Sequence, residues 1–359
     1  MNKHNFSAGP SILPQEVFEK AAQAVLNLDD SGLSILEISH RSKAFIAIME
    51  AAKSLVLELM QLQDKGYEAL FLQGGATMEF LRVPYNLLAQ NQTAAYLDTG
   101  LWSSNAIKEA QLFGTVDVVE SSKDKNYNYI PKKYAIPEHV AYFHCTSNNT
   151  IYGTQIHDFP VTNVPVVCDM SSDILSRDID YSYFDLIYAG AQKNMGPAGV
   201  TLIVVKKEIL GNADRKIPTL LDYQKHIAAE SMLNTPAVFA IYTSLLNLKW
   251  LKSNGGIANI AQKNREKANL LYTEIDRNSL FEGTVNAEDR SIMNATFLLK
   301  DTSQAEKFAH ICASKEISGL IGHRSVGGYR ASMYNAMAID SVQVLVDAMK
   351  ELEQNSLNN

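Results

Sequence analysis

Cysteine is scarce in this chain of 359 residues, with three copies, Cys145, Cys168 and Cys312, and no C-x-x-C spacing. An odd number, two of them inside apolar strand-like runs, argues against a disulfide framework and structural zinc and points to a reducing compartment. A surplus of positive charge is also missing. Lysine and arginine total 32 against 39 acidic residues, a formal charge of −7, so nothing draws the chain as a whole to nucleic acid or an anionic membrane. No apolar run nears the roughly 18 residues of a membrane span. The opening MNKHNFSAGPSILP lacks the apolar core of a secretory signal and meets prolines at once. The expectation is a cytoplasmic protein. Absent, too, are G-x-G-x-x-G and G-x-x-x-x-G-K-[ST], which lowers the expectation of a dinucleotide or nucleoside triphosphate site.

What is present describes an ordinary globular protein, 46% hydrophobic and 20% charged, long enough for about two domains. Residues 1–14 read as an extended arm broken by Gly9-Pro10 and Pro14. Helical spacing runs from Gln15 to Leu28, and again from Lys43 to Gln61. Between them SILEISHRSKAF reads as a short strand-like piece carrying His40 and Arg41. Strands are expected at Tyr67–Leu72, Ala94–Leu97, Val116–Glu120, Val140–His144, Val164–Cys168, Asp185–Ala189 and Gly199–Val205, several followed by a turn and a helix. That alternation is the signature of an α/β layer with a mostly parallel sheet. After Ser253–Gly256 a polar helix (Asn259–Asn278) leads to strands at Ser291–Leu299 and Gly328–Met333, with helices near Ser303–Lys315 and Ser341–Glu353. The expected organisation is a large domain over 15–255 and a smaller C-terminal α+β domain over 256–359, joined by the arm 1–14.

In such sheets ligands sit beyond the carboxyl ends of the strands. The polar clauses QGGAT, DTGLW, HCTSNNT, CDMSSD and AGAQK all fall there, so one shared site is expected rather than five unrelated loops. Two of them carry the chemistry. Lys193 lies just past a buried strand, where burial favours the neutral amine that adds to a carbonyl carbon. The small residues around it (Ala189, Gly190, Ala191, Gly196, Ala198, Gly199) leave room for something flat. Asp169, 24 positions earlier, ends another apolar run. A lysine to form a Schiff base and a carboxylate to keep a ring nitrogen protonated are what pyridoxal phosphate requires. Taken alone, the pair reads better as a strand-ending aspartate and a solvated lysine.

The other candidates carry similar alternatives. QGGAT opens a helix whose free N–H groups suit phosphate, or is a packing turn. Trp102 could cover a flat heteroaromatic face, or be an aromatic buried under a loop. Thr150 could bond a ring substituent or serve its own turn. His40-Arg41 and His323-Arg324 with Arg330 are basic clusters in an acidic protein, and arginine's planar fork suits carboxylate and phosphate. They predict a substrate with two anionic ends. Solvated arginines are the alternative, weakest for Arg330 with its glycine and apolar flanks.

Together, FSAGPSILP, SHRSK, GGAT, GLWS, SNNTIYG, DMSSD, AGAQKNMGPAG, NTP and GHRSVGGYRASMYNA span nearly the whole chain, and the sequence closely resembles the phosphoserine aminotransferase family. That family belongs to the class V, fold-type I pyridoxal-phosphate enzymes. The resemblance implies that Lys193 carries the cofactor and Asp169 pairs with its ring nitrogen. It implies that Trp102 stacks on the ring, Thr150 contacts its 3-hydroxyl side, and Ala76, Thr77 and Gln192 hold its phosphate. Asn234 and Thr235 would reach that phosphate from a neighbouring subunit, so a homodimer is implied. Arg330 would take the substrate α-carboxylate, and His40, Arg41, His323 and Arg324 the distal anion. Some family members have arginine where Thr77 stands, and its absence here shifts work to the His-Arg pairs. The implied reaction moves an amino group between glutamate and 3-phosphohydroxypyruvate, in serine biosynthesis, with 4-phosphohydroxythreonine formation in pyridoxine biosynthesis as a second use. No metal is implied. Rivals within the fold are an alanine–glyoxylate aminotransferase, which would not need the extra basic pairs, and a cysteine desulfurase, which would need an exposed cysteine. A Rossmann-like nucleotide-binding or non-catalytic scaffold protein would account for the α/β pattern alone.

Overall fold

The structure is a computed structural model that describes residues 3–357; Met1 and Asn2 of the expected arm, and Asn358 and Asn359, lie outside it. Twelve strands occur among the described residues. They are β1 (His4–Asn5), β2 (Tyr67–Leu72), β3 (Thr93–Asp98), β4 (Thr115–Ser121), β5 (Phe143–Thr146), β6 (Val166–Asp169), β7 (Leu186–Gly190), β8 (Thr201–Lys206), β9 (Phe281–Gly283), β10 (Asn294–Leu299), β11 (Ile317–Ser318) and β12 (Tyr329–Ser332).

Seven of them form one sheet in the order β2-β8-β7-β6-β5-β3-β4. All neighbours are parallel except β8, which runs antiparallel to both β2 and β7. The mixed, mostly parallel α/β sheet expected from the alternation is therefore present. Its central strands are buried on both faces, which is why they read as unbroken apolar runs. One face packs Ala69, Cys145, Ile187 and Val204 against helices Lys43–Leu59 and Val238–Ser253. The other packs Leu70, Tyr96, Tyr188 and Ile203 against helices Gly75–Leu87 and Leu101–Ala110. A separate antiparallel sheet, β12-β10-β9, lies in a third core with helices Gly256–Arg277, Ala305–Ser314 and Ile339–Leu357. The arm joins that core: β1 pairs in parallel with β11, and Phe6 is fully buried there.

Three local expectations change. The strand-like piece from Ser34 to Arg41 is a series of turns. Its serines compete with any ladder, because Ser34 and Ser39 hydroxyls accept the N–H groups of Leu36 and Arg41. Ser42 then caps the helix Lys43–Leu59 by accepting from Phe45 N at 3.2 Å. The strand expected at Val140–His144 is shifted to Phe143–Thr146, which sets Thr146 beside Asp169. Helix Val238–Ser253 has no counterpart in the sequence reading; residues Ala240 to Leu248 are all buried, so it shows no polar stripe.

Candidate functional site

Strands β3, β5, β6 and β7 end at Asp98, Thr146, Asp169 and Gly190. The loops beyond them converge on a cavity of about 350 Å³, at the sheet edge where the parallel strands finish. Of the sequence candidates, Ala76, Thr77, Trp102, Thr150, Asp169, Gln192, Lys193, His323 and Arg330 line it. His40, Arg41, Asn234, Thr235 and Arg324 do not. Arg41, Asn234, Thr235 and Arg324 are exposed and His40 half-buried; Asn234 Nδ2 donates to Gln73 Oε1 at 2.7 Å, beside the glycine turn.

Lys193 sits in the turn after β7, which is pinned by the Met195 and Gly196 N–H groups on Ala191 O. Its Nζ donates to Thr150 Oγ1 at 2.9 Å. Arg330 reaches the same residue, Nη1 donating to Thr150 O at 3.4 Å. Thr150 thus joins the amine and the guanidinium. Burial pulls the Lys193 amine down to about 8, with Asp169 opposing the shift and Arg330 reinforcing it. The opposite happens to Asp169, which is 5% exposed. Burial pushes its carboxyl above the usual range, against the pull of its bonds with Ser171 and the charge of Lys193. A cation placed against it would restore the carboxylate.

Other groups in the cavity lack partners. Arg330 makes no ion pair among the described residues, and its buried Nε has no hydrogen bond, nor do Trp102 Nε1 and Thr146 Oγ1. His323 is lowered by burial and by Arg330 and Arg324; its Nδ1 is engaged with Ser325 Oγ at 2.7 Å. The helix Gly75–Leu87 starts at the cavity with no side-chain cap and no acid in its first turn, so its free N–H groups suit an anion. Glycine is required just before it: Gly74 has φ +120°, and a Cβ there would lie 2.5 Å from Met78 Cβ.

The volume, the cation-seeking Asp169, the indole wall and the anion-receptive helix end fit pyridoxal phosphate. The cavity also includes residues that the sequence reading did not single out: Ala8, Gly9, Phe80, Asn148, Ile151, Ser171 and Ser172. Ser171, Ser172 and Asn148 lie in clauses already marked as polar strand ends. Ala8 and Gly9 come from the arm, which nothing local ties to the sheet. Ser11 fastens it there, its N–H donating to Gln192 O at 3.0 Å and its hydroxyl to Lys193 O. The small residues near Lys193 serve packing instead of making room. None of the six lines the cavity, and Gly196 lets the turn approach Ser244, whose Oγ would be 2.5 Å from a Cβ.

Comparison with known proteins agrees with this geometry. A family model described as aminotransferase class-V matches residues 3–345. A phosphoserine aminotransferase of Flavobacterium psychrophilum is 68% identical over 353 residues, covering 98% of this chain and 99% of its own. Among solved structures, the phosphoserine aminotransferase of Bacillus circulans subsp. alkalophilus superposes with a TM-score of 0.95 at 41% identity, over 99% of both chains. The pyridoxal-phosphate-bound phosphoserine aminotransferase of Trichomonas vaginalis gives 0.92 at 36% identity, over 97% of this chain and 100% of its own.

Proposed function

The chain belongs to the aminotransferase class-V family and, within it, to the phosphoserine aminotransferases, and from that premise we propose how its residues share the work. The enzyme is a pyridoxal 5'-phosphate-dependent aminotransferase that moves an amino group reversibly between glutamate and 3-phosphohydroxypyruvate, giving 3-phosphoserine and 2-oxoglutarate for serine biosynthesis. Formation of 4-phosphohydroxy-L-threonine for pyridoxine biosynthesis is a second, proposed use. When bound, the cofactor supplies an electron-accepting ring.

The chain supplies the rest. Lys193 tethers the cofactor aldehyde and is the base that removes and returns the substrate Cα proton, a role suited to an amine pulled down to about 8. Asp169 holds a proton on the ring nitrogen. Trp102 would cover one ring face, Thr150 would contact the 3-hydroxyl side of the ring, and Ala76, Thr77 and Gln192 would hold the phosphate. Arg330 grips the α-carboxylate, and His323 meets the distal anion together with Arg324, His40 and Arg41, none of which lines the cavity of the single chain. The observation that carries the assignment is the meeting of Lys193 and Arg330 on Thr150, in a cavity that Asp169 also lines.

His40, Arg41, Asn234 and Thr235 do not line this cavity, which supports a homodimer in which a second copy brings them to it. We place the enzyme in the cytoplasm, with residues 15–255 as the cofactor-binding domain and 256–359 with the arm as the smaller one. Among the described residues no helix is long and apolar enough to cross a membrane. The test is direct. Purified protein mixed with glutamate and 3-phosphohydroxypyruvate should release 2-oxoglutarate, and a parallel run with alanine and glyoxylate should not turn over. Activity only in the second run would reject the substrate assignment.

A further inference from the structure

Lys193 and Arg330 come from segments far apart in the chain, yet each is followed closely by a buried asparagine, and those two asparagines touch. Asn194, 4% exposed, accepts the backbone N–H of Asn335 on its Oδ1 at 2.9 Å. Its own Nδ2 donates to Ile174 O at 3.0 Å, and its carbonyl accepts Asn247 Nδ2 at 2.9 Å. Asn335, 5% exposed, donates from Nδ2 to Leu175 O at 3.0 Å and accepts Asn264 Nδ2 at 2.9 Å. Asn264 donates as well to Ser176 O at 3.0 Å. One turn along the same helix, Lys267 donates to Met333 O at 3.0 Å and Tyr334 O at 2.8 Å. Tyr334 in turn donates its hydroxyl to Ala8 O at 2.7 Å, on the arm lining the cavity.

We propose that Asn335, backed by Asn264 and Lys267, is a positioning residue that fixes the Arg330 guanidinium relative to the Lys193 amine. The inference rests on the reading of Arg330 as the carboxylate-binding group. Three arguments support it. Asn335 uses its N–H, Nδ2 and Oδ1 on three different segments, so a shift of about an ångström would strain or break all three bonds. Apolar residues could fill the same volume but would set no direction. Lys267, 1% exposed, is an expensive choice, since no carboxylate among the described residues meets it and burial draws the amine down to about 7. What it provides is two bonds to the segment leading away from Arg330. The separation of amine and guanidinium matters because it sets where the substrate Cα lies against its base.

The experiment compares Asn335→Ala, Lys267→Met, Arg330→Ala and, as a control from the C-terminal core, Leu352→Ala. Leu352 is fully buried in the C-terminal core and lines no part of the cavity. For each, the KM for glutamate and kcat are measured on the holoenzyme. On cofactor-free protein, the pH midpoint for reductive capture of pyridoxal phosphate by Lys193 is read by peptide mapping. The expected result for Asn335→Ala is a rise in KM of roughly tenfold or more. The Lys193 midpoint should move up, because the charge of Arg330 helps hold it down. Leu352→Ala should lose as much Tm with neither change. Unmoved KM and midpoint in Asn335→Ala overturn the proposal; if that variant does not fold, Lys267→Met decides by the same two readouts. Arg330→Ala separates the two levels. A raised KM there beside an unmoved Asn335→Ala sinks this inference alone, whereas an unmoved KM in Arg330→Ala sinks the carboxylate reading and this inference with it.

Discussion

Burial has pulled the Lys193 amine down to about 8 from 10.5, far below the ordinary range of a solvated lysine. At pH 7 about one Lys193 in ten is neutral, against roughly one in 3,000 for an unshifted lysine, an advantage of about 300-fold. Only the neutral form attacks an aldehyde. Reductive capture of pyridoxal phosphate by cofactor-free protein should therefore rise about tenfold per pH unit below 8 and level off above it. Counting only the peptide that holds Lys193 removes the label carried by surface lysines. Asp169 is the main group raising the lysine, so Asp169→Asn should move the midpoint below 8. Linkage gives the same sign in stability. Because the folded pKa lies below the unfolded one, the unfolded chain holds the extra proton between pH 8 and about 10. The contribution of this group is thus most unfavourable at and below pH 8 and recovers as pH rises, by up to about 3 kcal/mol. Capture at Lys193 that still climbs at pH 10, with no plateau, refutes the reasoning.

Three further outcomes are expected. Lys193→Ala should reduce turnover to background and abolish the borohydride-fixed label, and a fully active variant would reject the assignment. Arg330→Ala should raise KM for glutamate and phosphoserine alike, by roughly 10- to 100-fold for lost charge-assisted bonds; weakening of phosphoserine alone would show that it does not hold the α-carboxylate. Gly9 has φ +145°, and a Cβ there would meet Lys193 Cγ at 3.3 Å. Gly9→Ala should therefore cost about 1–3 kcal/mol in thermal unfolding and weaken pyridoxal phosphate binding, and a variant equal to the parent in both would remove the arm from the site.

The sheet was legible because its central strands are buried on both faces and bounded by glycine and polar turns; β7, LIYAG, and β8, TLIVVK, could hardly be anything else. Helix Val238–Ser253 escaped for the same physical reason. A helix buried all round carries no 3.6-residue contrast between polar and apolar faces, and FAIYTSLLNL reads neither as helix nor as strand. The piece Ser34–Arg41 failed differently. Ile35 is fully buried while Leu36 is exposed, an alternation that suits a strand, but serine side chains satisfied its N–H groups locally and left no ladder to join.

The site divides along a similar line. Lys193, Asp169 and Trp102 were recognisable because their chemistry is written in the residue type and each lies at or just past a strand end. Ala8 and Gly9 were not, because they reach the cavity through distant contacts: Ser11 on the Lys193 turn, Tyr334 on Ala8, and Phe6 in the C-terminal core. The asparagines 194, 264 and 335 show the same thing more sharply. In sequence an asparagine after a lysine or a tyrosine suggests a turn, and only the fold turns these three into one connected set of bonds. Residue type thus reveals the groups that react, whereas the distance between them is set by amides whose meaning depends on contacts spanning nearly half the chain.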